Sequence, residues 1–154
     1  MKSICSADHI KGYKGSAIAQ NEKNDCVVRA VASTFGFEYD VAHKYVAEEF
    51  GRQPGKGTFG TIPKLKIRKH ILNVPYQSLP KEDLLYPGSA IHQKKGGGPV
   101  YMTLRLFLEK FPLGKYLVVV KGHAFSIING VVIGNANDGK RLKAKIKFAI
   151  KVEE

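Results

Sequence analysis

The sequence predicts an α+β fold in which helices come first and an antiparallel sheet follows. In the first half of the chain apolar residues recur at helical spacing, and after residue 115 they form extended or alternating runs. Asn129-Gly130, the dipeptide most typical of a two-residue hairpin turn, separates two of these runs. A chain of 154 residues can bury a core without disulfides or a structural metal, so one domain, residues 1–154, is expected.

The N-terminal segment has little pattern, and the first clear element follows it. Residues 1–19 are polar and rich in glycine and lysine, which predicts an extended arm or a short edge strand. The first helix is expected to begin after Asn24 as its N-cap and to end at Gly36. Its apolar positions predict a central, buried helix: Val27, Val28, Val31, Ala32 and Phe35.

A second helix is predicted directly after the first. Asp40 can cap a helix that runs to about Phe50, and Gly51 ends it. Residues 51–60 contain four glycines and a proline, which predicts a loop. The lysine and threonine of this loop lack the spacing of a phosphate-binding P-loop, so that function is excluded.

Thr61 and Pro63 open a third predicted helix that reaches about Ile71 and ends the helical part, residues 24–72. A basic side is typical of a solvated helix face, and it also suits contact with nucleic acid; here it holds Lys64, Lys66, Arg68 and Lys69. Prolines divide the following stretch into short strand and loop pieces, and residues 92–99 are expected to form a mobile loop, a candidate lid.

The C-terminal part, residues 100–154, is expected to hold one helix and the antiparallel sheet. Thr103 caps the helix, and Pro112 with Gly114 ends it. Extended apolar runs predict strands at 116–120, 123–128 and 131–133. Over residues 142–152 apolar residues alternate with arginine and lysine, so the last strand is expected to be half-buried with a basic outer face.

Positive charge dominates the composition. The chain has 25 lysines and arginines against 13 aspartates and glutamates, a net charge of +12. Long-range attraction therefore favours an acidic partner, whether nucleic acid, an anionic surface or an acidic protein substrate. No segment has the apolar core of a signal peptide or the roughly 18 apolar residues of a membrane helix. We expect no membrane span and a cytoplasmic location.

The two cysteines, Cys5 and Cys26, indicate neither a disulfide framework nor a zinc site. Neither has a cysteine or histidine at metal-ligand spacing, so no metal or other cofactor is predicted. Cys26 stands at the start of the first helix, where the helix dipole and free N–H groups favour the nucleophilic thiolate. Gln20, six residues upstream, can donate a hydrogen bond to an oxyanion formed there. A lone cysteine in such a place is more often a buried structural residue.

A histidine is expected at the end of the sheet that this helix approaches. His123 opens a strand directly after Gly122, which allows its ring to act as a base for a cysteine on the first helix. Asn135, across the hairpin, can hold the imidazole in one tautomer, and Asp138 is the alternative. The structural alternatives are a core histidine and a turn asparagine.

The segment from Gln20 to Ala30 resembles the papain-like cysteine peptidases. The likeness is greatest to the bacteriocin-leader-processing peptidase domains of transporters and to small papain-like proteins of phage and bacterial genomes. Those domains carry a glutamine, four variable residues and then Asp-Cys at the start of the central helix, as Gln20 and Asp25-Cys26 do here. The glycine that follows the nucleophile in that family is Val27 in this chain.

Further along the chain, three segments are similar to the same family. The glycine-rich residues 55–60 resemble its loop before a helix, and Gly122-His123 resembles its histidine strand. Residues 134–137 resemble the end of its next strand, with Asn135 where the transporter domains usually have aspartate. The resemblance implies that Cys26 is the nucleophile, His123 the base, Asn135 the orienter of the imidazole and Gln20 the oxyanion donor.

The resemblance implies a papain-like fold and a thiol-dependent hydrolase, an endopeptidase or isopeptidase that acts on a peptide or protein substrate. Two other functions stay open at this point. A papain-like scaffold without catalysis would serve as a basic structural or nucleic-acid-associated protein, for example in a phage virion. Amidases of cell-wall peptides also pair cysteine with histidine, but over a shorter interval than the one from Cys26 to His123.

Overall fold

The computed structural model describes residues 2–58, 61–86, 100–135 and 137–153. In these residues the helices are α1 (Ser6–His9), α2 (Ala17–Gln20), α3 (Cys26–Phe35), α4 (Tyr39–Phe50), α5 (Thr61–Ile67) and α6 (Leu104–Lys110). The strands are β1 (Ser3–Cys5), β2 (His70–Ile71), β3 (Val74–Ser78), β4 (Lys115–Val120), β5 (His123–Ile128), β6 (Val131–Gly134) and β7 (Phe148–Val152). The predicted mixed α+β class is confirmed.

The strands form one sheet in the order β1-β6-β5-β4-β7-β3-β2. All neighbours are antiparallel except β1 and β6, which pair in parallel with Cys5 opposite Gly134. The last strand, β7, therefore lies between β4 and β3 in the middle of the sheet. Asn129 and Gly130 both have positive φ, 48° and 79°, as the predicted hairpin turn between β5 and β6 requires.

Helices cover both faces of the sheet. α3 packs on one face against β4, β5 and β6, and α4 packs against α3. The opposite face is covered by α6 together with Leu84, Met102 and Ile146. Consecutive residues of β4 alternate between the two cores, with Leu117 on the α3 side and Val118 on the α6 side. Burial on both faces explains why these central strands are continuously apolar.

The central helix α3 has the predicted course with a small shift at its start. Its N-cap is Asp25 rather than Asn24, which instead has a left-handed φ of 54°. It ends as predicted at Gly36, which adopts the left-handed conformation (φ 76°) that favours glycine. All its residues except Cys26 and Arg29 are buried. α4 likewise ends at left-handed Gly51, as predicted.

The N-terminal arm is more structured than predicted. β1 is the expected edge strand, but α1 and α2 follow it. Each helix has four residues, which is too short for an apolar period to show in the sequence. Ser16 caps α2 by accepting a hydrogen bond from the Ala19 N–H at 3.0 Å.

The third predicted helix is too long, and the last strand is buried differently. α5 ends at Ile67, and the next residues form the β2–β3 hairpin through Leu72 and Asn73, both with positive φ. Lys143, Lys145 and Lys147 are exposed as predicted, but they precede β7. In β7 itself residues 148–150 are all buried, because a central strand has helices on both faces. The proposed lid, residues 92–99, lies outside the described residues.

Candidate active site

Cys26 is the first residue of α3, and the helix start around it is open. The Asp25 side chain does not cap the helix. Its carboxylate accepts a hydrogen bond from the buried Tyr39 hydroxyl at 2.7 Å and another from Arg29 Nε at 3.3 Å. The first-turn N–H groups are therefore left without the usual side-chain acceptor, so they can stabilise a negative charge on the cysteine.

His123 is the first residue of β5, and its ring lines the same cleft as the Cys26 thiol, close enough for each group to shift the pKa of the other. Gly122, directly before it, has a φ of +70°, a conformation that turns the chain sharply into the strand. Nε2 of the ring lies 2.8 Å from Asp138 Oδ2, which leaves Nδ1 for the thiol. The predicted Cys26–His123 pair is thus formed by the tertiary structure.

A buried polar contact fixes α3 against β5 just behind this pair. The Ser126 hydroxyl donates to the Ala30 carbonyl oxygen at 3.1 Å and lies 2.6 Å from Thr34 Oγ1. Ser126 is three residues beyond His123, and Ala30 is one helical turn beyond Cys26. Because all three polar atoms are buried and satisfied, sliding of the helix along the strand would break hydrogen bonds that water cannot replace.

Asp138 completes a chain of three side chains. It is fully buried, and besides His123 it binds the Asn135 N–H at 2.6 Å and Arg141 Nε at 3.0 Å. A Cβ at Gly134 would collide with its carboxylate, so the last residue of β6 must be this small for Asp138 to reach the imidazole. Asp138 begins the short 3-10 helix Asp138–Lys140.

The three groups shift one another's titration. Burial raises the pKa of Cys26, but the hydrogen bond with His123, the N–H groups of Ala124 and Val27 and the imidazolium charge outweigh it and lower that pKa. The hydrogen bonds with Asp138 and then Cys26 raise the pKa of His123 to about 9, against the opposing effect of burial. Burial raises the pKa of Asp138, and its hydrogen bonds with His123 and Asn135 lower it below its usual range. The lowered pKa of Cys26 and the raised pKa of His123 both favour the thiolate–imidazolium form of the pair.

Asn135, predicted as the orienter, lies beside the site but binds another residue. Its Oδ1 accepts a hydrogen bond from Arg29 Nη1 at 3.1 Å, while the ring contact belongs to Asp138. Arg29 also donates to Ser6 Oγ at 3.1 Å and to the Tyr13 hydroxyl, and its guanidinium lies over the Tyr13 ring. Sequence reasoning missed Arg29. Its position one turn after Cys26, on an otherwise buried helix, is the signal that could have identified it.

Gln20, predicted as the oxyanion donor, is the exposed last residue of α2. Its Nε2 donates to the Lys14 carbonyl oxygen at 3.4 Å, a long bond at the surface. The structure therefore directs this amide to the N-terminal arm. Its role at the oxyanion stays a prediction that requires the amide to leave Lys14.

A cleft of about 420 Å³ opens at the cysteine. Its lining comes from four loops and from the starts of α3 and β5: Asn24, Asp25, Cys26, Gly57, Gly122, His123 and Asn135. In the described part of the chain, no three His, Cys, Asp or Glu side chains cluster so that they could hold a metal ion. A thiol and an imidazole in one cleft are the groups that nucleophilic attack at a carbonyl, with proton transfer through the imidazole, would use.

Comparison of this chain with protein-family models, with curated proteins and with solved structures gives no significant match. Among the residues that the structure describes, no helix is both long and apolar enough to cross a membrane.

Proposed function

We propose that this protein is a thiol-dependent hydrolase, an endopeptidase or isopeptidase of the papain-like kind. The observation that carries the proposal is the chain of contacts from Cys26 through His123 to the buried carboxylate of Asp138. A nucleophile at a helix start, a base at a strand start and a third group behind the base form a general arrangement for covalent catalysis. A cysteine-bearing helix packed on an antiparallel sheet is compatible with the papain-like fold.

In the first half-reaction the Cys26 thiolate attacks the carbonyl carbon of the scissile bond. The C–N bond then breaks, and the imidazolium of His123 gives its proton to the leaving amine. The backbone N–H of Cys26, at the open start of α3, is the donor we assign to the oxyanion, with Gln20 as the predicted second donor. The product of this step is a thioester on Cys26.

In the second half-reaction water hydrolyses the thioester. The imidazole of His123, now neutral, takes a proton from the attacking water and becomes the imidazolium again. The C–S bond then breaks, which releases the carboxylic acid and leaves the Cys26 thiolate. Asp138 accepts the hydrogen bond from Nε2 throughout, which holds the ring in the tautomer that presents Nδ1 to the sulfur. Asp138 thereby takes the orienting role for which it was the alternative to Asn135.

Selective alkylation tests the proposal without knowledge of the substrate. The chain has two cysteines, and Cys5, the last residue of the edge strand β1, serves as an internal reference. With iodoacetamide at pH 7 we expect Cys26 to react roughly 100-fold faster than Cys5, as a lowered thiol pKa predicts. His123→Ala should remove most of this difference, and labelling in urea should equalise the two thiols. Equal rates for both thiols in the folded protein would contradict the proposal.

Hydrolysis is then tested with a peptide library derived from a digested proteome. New termini that appear with the wild type and not with Cys26→Ala define the cleavage sites. Cys5→Ser is the matched control, because it removes the other thiol and should cleave like the wild type. Circular dichroism verifies that each variant is folded.

A further inference from the structure

We propose that the cleft at Cys26 selects acidic substrates, peptides with aspartate or glutamate beside the scissile bond. This inference rests on the proposed hydrolase function and names its substrate class. The juxtaposition that carries it is a set of exposed lysines placed beside cleft-lining residues on three separate loops.

Each of three cleft-lining residues has an exposed lysine directly before it in the chain. Lys23 precedes Asn24, Lys56 precedes Gly57 and Lys121 precedes Gly122. These loops lie before α3, after α4 and between β4 and β5, so no single run of basic sequence produces the arrangement. None of the three lysines forms an ion pair with a carboxylate among residues 2–58, 61–86, 100–135 and 137–153.

Three carboxylates next to the cleft have cationic partners of their own. Asp25 is paired with Arg29, and Asp138 with His123 and Arg141. Glu22, behind the loop of Lys23, binds Arg52 Nη1 at 2.9 Å and His43 Nε2 at 2.7 Å. Because these carboxylates already have cationic partners, they do not offset the positive charge of the three lysines.

Two of the lysine-bearing loops are tied to each other. Asn24 Nδ2 donates to the Gly55 carbonyl oxygen at 3.0 Å, and the Gly55 N–H donates to Glu22 Oε1 at 2.6 Å. A Cβ at Gly55 would touch the Lys23 side chain at 3.6 Å, so that side chain runs along the neighbouring loop. Lys23 and Lys56 consequently lie on two loops that are anchored to each other and that each contribute a neighbouring residue to the cleft lining, with Lys121 on another such loop.

The charge preference can be measured on the thiol itself. In a Cys5→Ser background Cys26 is the sole thiol, and we compare its rates with sulfonatoethyl and trimethylammonioethyl methanethiosulfonate, which carry opposite charges. We expect one triple variant to lower the ratio of the rate with the anionic reagent to the rate with the cationic reagent roughly fivefold at low ionic strength. It carries Lys23→Gln, Lys56→Gln and Lys121→Gln. About 0.5 M salt should remove most of the difference between this triple variant and its parent.

A charge-matched control removes three lysines at the other end of the sheet. Lys2 stands before β1, Lys115 pairs with Ile128 at the far end of β5 from His123, and Lys151 pairs with Tyr116. Their replacement by glutamine changes the net charge equally and should leave the ratio close to that of the parent. A control that lowers the ratio as much as the cleft variant would overturn the proposal.

The experiments distinguish a failure of the acidic preference from a failure of the proposed hydrolase function. A Cys26 that reacts no faster than an ordinary thiol with either reagent contradicts the hydrolase itself. A fast Cys26 whose charge ratio ignores the cleft lysines contradicts only the acidic preference. In the peptide library, cleavage sites enriched in aspartate and glutamate support the preference. Stronger protection of Cys26 by a DNA oligonucleotide than by a glutamate peptide of equal net charge would assign the lysines to phosphate and overturn it.

Discussion

Asp138 and Asn135 both contribute to orienting the His123 ring, a role that the sequence predicts for a single residue. The carboxylate of Asp138 holds the ring, and the backbone N–H of Asn135 holds the carboxylate. The Asn135 side chain faces Arg29 instead. The two residues therefore differ sharply in what their replacement should change.

Asp138→Asn is expected to lower hydrolysis roughly 10²- to 10⁴-fold, because the amide cannot hold the imidazolium or the correct tautomer. The loss of the carboxylate should also move the pKa of His123 from about 9 back toward its ordinary value. Histidine ring signals followed by NMR against pH measure this shift independently of activity.

Asn135→Ala is the matched comparison. It keeps the backbone N–H that binds Asp138, so we expect about a tenfold loss of activity or less and a His123 pKa that stays high. If Asn135→Ala lowers the His123 pKa and Asp138→Asn does not, the assignment of the two residues is reversed.

At this scale the sequence could predict Cys26 and His123 but could not choose their orienter. Residues 134–139 are all typical of turns, and nothing in their order says which side chain turns inward. The choice depends on Gly134, whose missing Cβ leaves room for the Asp138 carboxylate. The position of Gln20 could not be predicted either. Its spacing of six residues from Cys26 does not reveal that it is the last residue of a short helix, α2, and is exposed at the surface.

Among the elements, the loop before α3 depends on a buried charge cluster. Glu22 and Arg52 have side chains only 4% and 1% exposed, and Arg52 Nη2 also donates to the Lys23 carbonyl oxygen at 3.0 Å. The hydrogen bond from Arg52, with that of His43, holds the pKa of Glu22 far below its usual range despite the opposing effect of burial. This cluster joins the segment that leads to Cys26 to α4 and the loop that follows it.

Glu22→Gln should lower the free energy of unfolding by about 3 kcal/mol, because it leaves the buried Arg52 without its counter-charge. The depressed pKa of Glu22 stabilises the wild type above about pH 4.5, and that contribution is lost as the pH falls toward the folded-state pKa. Urea titrations between pH 3 and 7 should show a steeper acid loss for the wild type than for the variant. Glu48→Gln, on an exposed pair with Lys44, should change stability by less than about 0.5 kcal/mol.

The elements that sequence could predict are those with long periods or clear caps. α3, α4 and α6 follow from apolar spacing with Gly36, Gly51 and Thr103 at their ends. The β2–β3 hairpin was missed because the predicted helix extends to about Ile71 and because the turn places Leu72, a residue that rarely adopts positive φ, in the left-handed region. The cap at Asp25 was missed because its carboxylate is used elsewhere.

For the molecule as a whole, the pair of shifted pKa values predicts different pH profiles for two reactions. Alkylation of Cys26 needs only the thiolate, so its rate should rise through the lowered pKa of Cys26 and stay high above pH 9. Hydrolysis also needs the proton on His123, so it should fall as the pH passes about 9. Both rates, measured from pH 4 to 10.5 in one buffer series, check this. Parallel profiles for the two reactions would contradict the assigned roles.

The raised pKa of His123 also makes the stability of the folded protein depend on pH. The pKa of His123 is higher in the folded than in the unfolded state, so its contribution to stability is fully present below about pH 6.5 and is lost as the pH rises through about 9.

The sequence could predict the mixed α and β class and the order of most elements along the chain, but not the order of strands in the sheet. Strand order depends on contacts between residues far apart in the chain, such as Tyr76 with Val152 and Ser3 with Val132.

The central position of β7 has a consequence for folding during synthesis on the ribosome. Cys26, His123 and Asp138 all precede this strand, yet β7 contributes to the core on which α3 rests. A nascent chain that has not released residues 148–152 from the ribosome therefore holds the reactive groups without the support that aligns them. The proposed hydrolase activity should therefore appear only when the sheet is complete.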